Sequence, residues 1–221
     1  PIFMVKILAR IIQSARYSSE INQDKGVSVR MGIHSLELLV GEAERTRTII
    51  HNILAIPRPC DVFSIEQSVK FELAELDDTS ENRSKILKNL ISTSIKDTSL
   101  EYLKDIDPSI FDLIKKEFVG KSFQVSQAIL YSNSAQTSYD NQLKNFGSLL
   151  NLVTSVYQKI ISDQEIFVQE TKKYGISNNN LIISDNVQSE LKAGIVELIL
   201  DGLCWIEPKI LDKKEGMYVA N

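Results

Sequence analysis

Apolar residues recur at helical spacing along most of this 221-residue chain. Met4, Ile7, Leu8, Ile11 and Ile12 illustrate the pattern, because residues three or four apart lie on one face of a helix. Ser, Thr or Asp before an apolar run indicates a helix start, and Pro or Gly indicates an end. Together these signals predict helices at 3–17, 33–55, 62–76, 80–95, 108–118, 135–146, 148–173 and 187–205.

The predicted helix at 33–55 has the strongest pattern. Its apolar residues form one stripe, made up of Leu36, Leu39, Val40, Ala43, Ile50, Ile53 and Leu54. Its charged residues keep to the other faces and are Glu37, Glu42, Glu44, Arg45 and Arg47. The segment Pro57-Arg58-Pro59 then stops this helix, because proline lacks a backbone N–H and restricts the residue before it.

Capping residues refine the helix boundaries. Asp61 and Ser80 are the expected N-caps of the helices that follow them, and Asp107 before Pro108 is the expected cap of the next one. Gly175 is the expected C-terminal glycine of the helix at 148–173. The residues 177–180 form a predicted loop.

Strands are expected only in short pieces. Residues 123–125 indicate one short strand, and 209–211 with 217–219 indicate a hairpin around a charged turn. We therefore expect a mainly α fold, a helical bundle with a small C-terminal β-hairpin. Trp205 and Met217 are expected in the core or at the contact with the hairpin.

Composition supports a helical protein and excludes several functions. Hydrophobic residues make up 43% of the chain, which has only nine Gly and five Pro. The net charge of −4 is uneven: residues 1–60 hold eight Lys and Arg against five Asp and Glu, and the remainder holds 17 against 24. The chain has no basic tract suited to nucleic acid and no apolar run of about 18 residues suited to a membrane span. We expect neither partner.

The remaining motifs give no catalytic or metal-binding residue. Gly120-Lys121-Ser122 resembles the end of a P-loop, but Lys115 stands where that motif needs its first glycine. His34 and His51 are expected to be solvated or capping residues. Cys60 and Cys204 lack metal-binding spacing, so we expect buried free thiols in a reducing cytoplasm, in keeping with the absence of a signal peptide.

Arginine distribution points to Arg30. Six of the seven arginines lie in the first 60 residues, and Arg30 directly precedes the predicted helix at 33–55. A guanidinium fits phosphate and carboxylate in a fixed planar geometry that lysine lacks. The helix dipole already makes this end positive, so an arginine there is slightly unfavourable unless an anion meets it. From spacing alone, an ordinary surface arginine remains the alternative.

The stretch GVSVRMGIHSLELLVGEAERTR, residues 26–47, resembles the C-terminal lid of AAA+ ATPases of the magnesium-chelatase/MoxR-like group. Such lids tend to read Gly-x-Ser-x-Arg, then an amphipathic helix, then a basic pair. Their Pro-Arg-x-x-Asp connection is similar to residues 57–61 of this chain, although Pro59 is unusual there. The stretch ELILDGLCWIEPKILDKKEGMYV also resembles the closing helix and hairpin of chelatase-like proteins. The resemblance is weak between 62 and 186.

The resemblance implies that Arg30 is a sensor 2 arginine, which contacts the γ-phosphate of ATP bound with Mg²⁺ to a core domain. It implies partners in that core domain and in neighbouring subunits of a ring. This chain has no Walker A or Walker B motif, so alone it is expected to bind no cofactor and to be inactive. It is expected to be a fragment, with 1–60 as the lid-like subdomain and 61–221 as a helical extension ending in a helix and hairpin.

Two other functions compete with this one. A non-catalytic helical scaffold for partner proteins fits the acidic second part and the missing catalytic groups. A DNA-binding regulator with a C-terminal winged helix fits the last helix and hairpin, but the acidic charge of that half argues against it. The client of the ATPase, its ring size and any chelatase activity stay open.

Overall fold

The computed structural model describes residues 1–23, 29–67, 71, 73–74, 78–173 and 185–221. It confirms the expected fold class, a mainly helical bundle with a small β element near the C-terminus. The α-helices are α1 (Ile2–Tyr17), α2 (Val29–Ala43), α3 (Ile49–His51), α4 (Ser80–Leu103), α5 (Pro108–Glu117), α6 (Tyr139–Leu143), α7 (Gly147–Lys173) and α8 (Asp185–Leu203). The strands are β1 (Ser122–Gln124), β2 (Leu211–Lys214) and β3 (Met217–Ala220).

Helix α1 buries the predicted apolar face against α4 and α7. Phe3, Ile7 and Ile11 are almost completely buried. On the polar side, Lys6 binds both Glu101 of α4 (2.9 Å) and Asp163 of α7 (2.6 Å). Arg10 also binds Glu101, at 2.6 Å. The helix is therefore held by an apolar face and by a partly exposed ionic network beside it.

The predicted helix at 33–55 is wrong in its continuity. Helix α2 passes into a π-helical stretch, Glu44–Thr48, before the single turn of α3. Asn52 in a left-handed conformation (φ 53°) ends the helix. Because each i→i+5 bond adds a residue to the turn, the apolar stripe changes phase there. Ile50 is consequently 64% exposed and not buried with Leu39, whereas Leu54, 62% exposed, lies beyond the end of the helix.

The predicted helix at 62–76 is also wrong. The chain forms a 3₁₀ helix, Pro59–Gln67, and Leu73 pairs with Ile21 in an isolated antiparallel bridge. Asp61 lies inside this 3₁₀ helix and binds arginine, so it is no N-cap. The next helix, α4, runs to Leu103 instead of residue 95, and its cap is Thr79, whose side chain accepts a hydrogen bond from the Asn82 N–H.

The limits of α5 and α7 follow the sequence closely, whereas α6 (Tyr139–Leu143) is much shorter than the helix predicted at 135–146. Asp107 caps α5 by accepting a hydrogen bond from the Ser109 N–H at 2.9 Å. The carboxylate of Glu117 accepts from the Ser148 N–H (2.7 Å) and so caps α7. Gly175 and the predicted loop at 177–180 lie outside the described residues.

The sheet is larger than a hairpin. β2 and β3 pair antiparallel around Glu215 and Gly216, whose positive φ angles of 47° and 79° form the tight turn. Strand β1, at the predicted place, adds to β3 and gives the order β1-β3-β2. The buried side chains of Phe123 and Tyr218 attach this sheet to the bundle.

Helix α8 runs through the centre of the molecule and is as buried as its apolar sequence indicates. It packs closely on α4 at Gly202, where an added Cβ would lie 2.0 Å from the Ser99 hydroxyl. Trp205 and Met217 are not core residues, since they are 51% and 42% exposed. Buried residues from 1–60 and from 61–221 belong to one hydrophobic cluster, and the division at residue 60 stays a prediction.

Candidate functional site

Arg30 lies on the first turn of α2 and is exposed to solvent. It makes no hydrogen bond and no ion pair within the part of the chain that the structure describes. The pattern differs for Arg10, Arg45 and Arg58, which bind carboxylates or carbonyl oxygens. Among the described residues, the donors of the Arg30 guanidinium are thus unused.

An apolar surface continues from Arg30 along α2. Ile33, Leu36 and Val40 follow at helical spacing and are 55%, 45% and 41% exposed. The neighbouring face of α2 is buried and includes Ser35 and Leu39, and the helix packs against the 3₁₀ helix and α1. Helix α2 thus has two apolar faces, and only one of them is covered by the described residues.

Arg45, one member of the basic pair, is a surface residue. Its guanidinium binds the Glu42 carboxylate at 2.7 and 3.0 Å, one helical turn away. The hydrogen bond from Arg45 lowers the pKa of Glu42 despite the partial burial of that carboxyl. This pair belongs to the solvated face of the helix, as its sequence position indicates.

Arg47, the other member, is completely buried, which corrects its expected place on an outer face. It binds Asp61 through two hydrogen bonds of 2.7 and 3.0 Å. The carbonyl oxygens of Ile56 and Gln127 accept from it at 3.0 and 3.1 Å. Its Nε lies 3.4 Å from Glu190 of α8, without hydrogen-bond geometry. The π-helical stretch turns the Arg47 side chain inward, toward these acceptors.

Arg58 is the second buried arginine, and it lies beside Arg47. It donates to the carbonyl oxygens of Ile129 (2.9 Å) and Gln127 (3.0 Å), and its Nη1 lies 3.5 Å from Glu197 of α8. The Glu197 carboxylate also accepts from Tyr139 at 2.8 Å. Burial raises the pKa of the Glu197 carboxyl. The two arginines therefore link the end of α2, the 3₁₀ helix and the segment 127–129 to α8.

We call this group the buried ionic cluster; its members are Arg47, Arg58, Asp61, Tyr139, Glu190 and Glu197. Each of its arginines binds internal acceptors and none is exposed, so the cluster is suited to hold elements together rather than to bind a substrate. Sequence periodicity did not identify it, because its partners come from distant segments. The Pro-Arg-x-x-Asp pattern was the available signal, since Arg58 and Asp61 both belong to it.

The other motifs tested for chemistry remain without a catalytic arrangement. Gly120 (φ 71°) lies in the turn between α5 and β1, and the residues after it form a strand, whereas a P-loop leads into a helix. His34 and His51 are exposed, as expected. Cys60 and Cys204 are free but only half-buried, which corrects the expectation of full burial.

Within the described residues, no group of three or more His, Cys, Asp and Glu side chains could hold a metal ion. Among the described helices, none combines the length and apolarity needed to cross a lipid bilayer. Comparisons with protein-family models, with curated proteins and with solved structures found no match to this chain.

Proposed function

We propose that this chain is the lid and helical extension of an AAA+ ATPase of the magnesium-chelatase/MoxR-like group. In this proposal Arg30 is the sensor 2 arginine, and it contacts the γ-phosphate of ATP held with Mg²⁺ by a core domain. The observation that carries the proposal is the state of Arg30: it is exposed, at a helix start, and without a partner among the described residues.

The physical environment of Arg30 suits a phosphate ligand. The first turn of a helix presents unpaired N–H groups and a positive dipole end, which favour an anion. Phosphoryl transfer spreads negative charge over the γ-phosphate oxygens, and a fixed planar cation stabilises that charge. Arg30 and the end of α2 together supply both features.

The apolar surface beside Arg30 supports docking onto another module. Ile33, Leu36 and Val40 are exposed together, and covering them removes apolar area from water. An ATP-dependent contact here would bring Arg30 to the nucleotide when the surface is covered, and release it when the contact opens. This is the switching behaviour proposed for the lid.

The test uses the intact protein that contains this chain. Arg30→Ala should lower ATP turnover by about one to several orders of magnitude, because one transition-state cation is lost. Arg30→Lys should recover only part of it, since lysine lacks the planar geometry. Arg45→Ala is the matched control, as it removes an exposed arginine of the same helix that binds only Glu42.

Two measurements decide the assignment. The steady-state kcat and KM for ATP are measured for each variant, and its assembly state is measured alongside. A loss of turnover can then be distinguished from a loss of subunit contacts. Unchanged kcat and KM in Arg30→Ala, with the assembly intact, would remove the sensor 2 role. The 221-residue chain alone should not hydrolyse ATP.

A non-catalytic scaffold is the second proposal, and the apolar surface of α2 favours it. An intact protein without ATP turnover, whose partner binding is lost in Leu36→Glu, would support the scaffold and remove the ATPase. Retained partner binding in that variant would remove the scaffold function from this surface. Val40 offers a second position for the same test, as it is 41% exposed.

A further inference from the structure

A cleft of about 520 Å³ opens between the 3₁₀ helix, α4, the end of α8 and β2. This volume lies within the range of small-molecule pockets. Phe63, Ile95 and Trp205 form its apolar wall. Phe63 and Trp205 are 38% and 51% exposed, so two aromatic rings flank the opening. The residues that form the cleft include neither Arg30 nor any member of the buried ionic cluster.

The opposite wall carries two ion pairs, Lys209 with Asp212 and Lys213 with Asp201. The lysine side chains are each 43% exposed, whereas Asp212 and Asp201 are 30% and 16% exposed. An incoming group therefore meets the ammonium groups more readily than the carboxylates. Each ammonium has three donors and uses one of them on its aspartate, which leaves donors for a ligand.

The neighbouring groups also favour an anion over a cation. The Oδ1 atom of Asp201 already accepts from Lys213 (2.7 Å) and Tyr218 (2.6 Å). The carbonyl oxygens at the end of α8 are occupied, because those of Gly202 and Leu203 accept from backbone N–H groups. The terminal carbonyls that would attract a cation thus have partners within the chain.

Lysine and tryptophan also meet at the rim of the cleft. The ammonium of Lys96 lies 4.9 Å from the centroid of the Trp205 ring. Such a contact is a favourable attraction between the ammonium and the face of the ring. The charged side chains that line the cleft are two lysines and two aspartates, and Lys96 adds one ammonium group beside Trp205.

We propose that this cleft binds a small aromatic anion, with its ring against Trp205 and Phe63 and its carboxylate or phosphate bound to Lys209 and Lys213. The apolar wall provides contact area for the ring of the ligand, and the two ammonium groups favour a negatively charged ligand. The proposal is independent of ATP hydrolysis and of Arg30. It assigns to the C-terminal part of the chain a ligand site of its own.

Trp205 provides the measurement, because it is the only tryptophan in the chain. The 221-residue chain is titrated with 3-phenylpropanoate, and Trp205 emission is followed. The neutral 3-phenylpropan-1-ol and the cationic 3-phenylpropan-1-amine serve as matched probes of equal ring and chain length. We expect saturable binding of the acid, at least about fivefold tighter than the alcohol at low salt, with the amine weakest.

Variants then test the two walls. Lys209→Gln with Lys213→Gln should weaken the acid at least about fivefold and leave the alcohol unchanged, because only the charge contact is removed. Lys173→Gln is the matched control, since Lys173 also forms an exposed i,i+3 ion pair, with Glu170. Trp205→Ala should abolish binding of all three probes in calorimetry.

The outcomes separate clearly. Equal affinities for acid and alcohol, tightest binding of the amine, or no saturable binding up to about 10 mM would overturn the proposal. If the double lysine variant fails to fold, as judged by circular dichroism, the probe series and its salt dependence on the unmodified chain decide. Failure here leaves the ATPase proposal intact, because the two tests share no residue.

Discussion

The carboxylate of Asp61 binds the guanidinium of Arg47 through two parallel hydrogen bonds, and both side chains are completely buried. Substituting only one member of such a pair strongly lowers stability, because the remaining charge stays in the protein interior, which solvates it poorly. The pair joins the end of α2 to the 3₁₀ helix, and Glu190 extends it to α8.

Asp61→Asn should therefore destabilise the fold strongly. We expect the free energy of unfolding to fall by about 3–5 kcal/mol, since the Arg47 charge loses its counter-ion inside the protein. Urea unfolding followed by circular dichroism measures the change. Arg45→Ala, which removes a side chain that is 68% exposed, should change stability far less. Similar stability losses in the two variants would contradict the structural role of the buried pair.

The two faces of α2 should respond differently to truncation. Leu39 is completely buried, so Leu39→Ala should cost about 2–5 kcal/mol through lost burial and a cavity. Leu36 is 45% exposed, and Leu36→Ala should stay within about 0.5 kcal/mol, as expected for surface substitutions. Chemical unfolding of the 221-residue chain compares the two. A larger loss of stability for Leu36→Ala than for Leu39→Ala would mean that the buried face of α2 is assigned wrongly.

Local periodicity predicts part of this fold well. The limits of α1 and α8 agree with the prediction within two residues, because each helix has a continuous apolar pattern and a clear end. The region 33–55 fails for a physical reason: periodicity assumes 3.6 residues per turn throughout. The π-helical stretch at Glu44–Thr48 changes that number, so Arg47 turns inward and Ile50 turns outward.

Helical periodicity did not predict the buried ionic cluster, although the Pro-Arg-x-x-Asp pattern contains two of its members. Arg47 follows the pattern of an outer helix face, and no local signal indicates that Arg58 is buried, because their acidic partners on α8 are distant in sequence. The exposed position of Arg30, by contrast, follows from its place before an amphipathic helix. Its role at a nucleotide stays a prediction, since a role toward another module cannot be read from one chain.

Gly202 should not tolerate a methyl group. An alanine Cβ there would lie 2.0 Å from the Ser99 hydroxyl and 2.7 Å from Leu103, so α8 and α4 would have to separate. We expect Gly202→Ala to lower the free energy of unfolding by about 1–3 kcal/mol despite better helix propensity. Gly41→Ala is the matched helical control, because nothing lies within 4 Å of its Cβ.

The control should change stability in the opposite direction. Gly41→Ala should stabilise the chain by up to about 1 kcal/mol through helix propensity alone. Thermal unfolding of both variants makes the comparison. If Gly202→Ala stabilises the chain as much as Gly41→Ala does, α4 and α8 do not make this close contact.

The ionic network around Lys6 should make stability depend on acid pH. Burial alone would raise the pKa values of Glu101 and Asp163, but hydrogen bonds lower both: Lys6 and Arg10 donate to Glu101, and Lys6 and Tyr102 donate to Asp163. A carboxyl with a lowered pKa in the folded state stabilises the fold above its unfolded pKa. That contribution is lost as the pH falls below about 4 and the carboxyls become protonated.

Lys6→Met tests this linkage directly. At pH 7 it should lower the free energy of unfolding by about 0.5–1 kcal/mol, a modest value because solvent screens these partly exposed pairs. The deficit relative to the unmodified chain should shrink as the pH falls from about 5 to 3, since that chain loses the same contacts by protonation. Urea unfolding across this range measures it, with Lys173→Met as the exposed-pair control. A deficit that is equal at both ends of the range would mean that Lys6 stabilises the bundle by packing and not by charge.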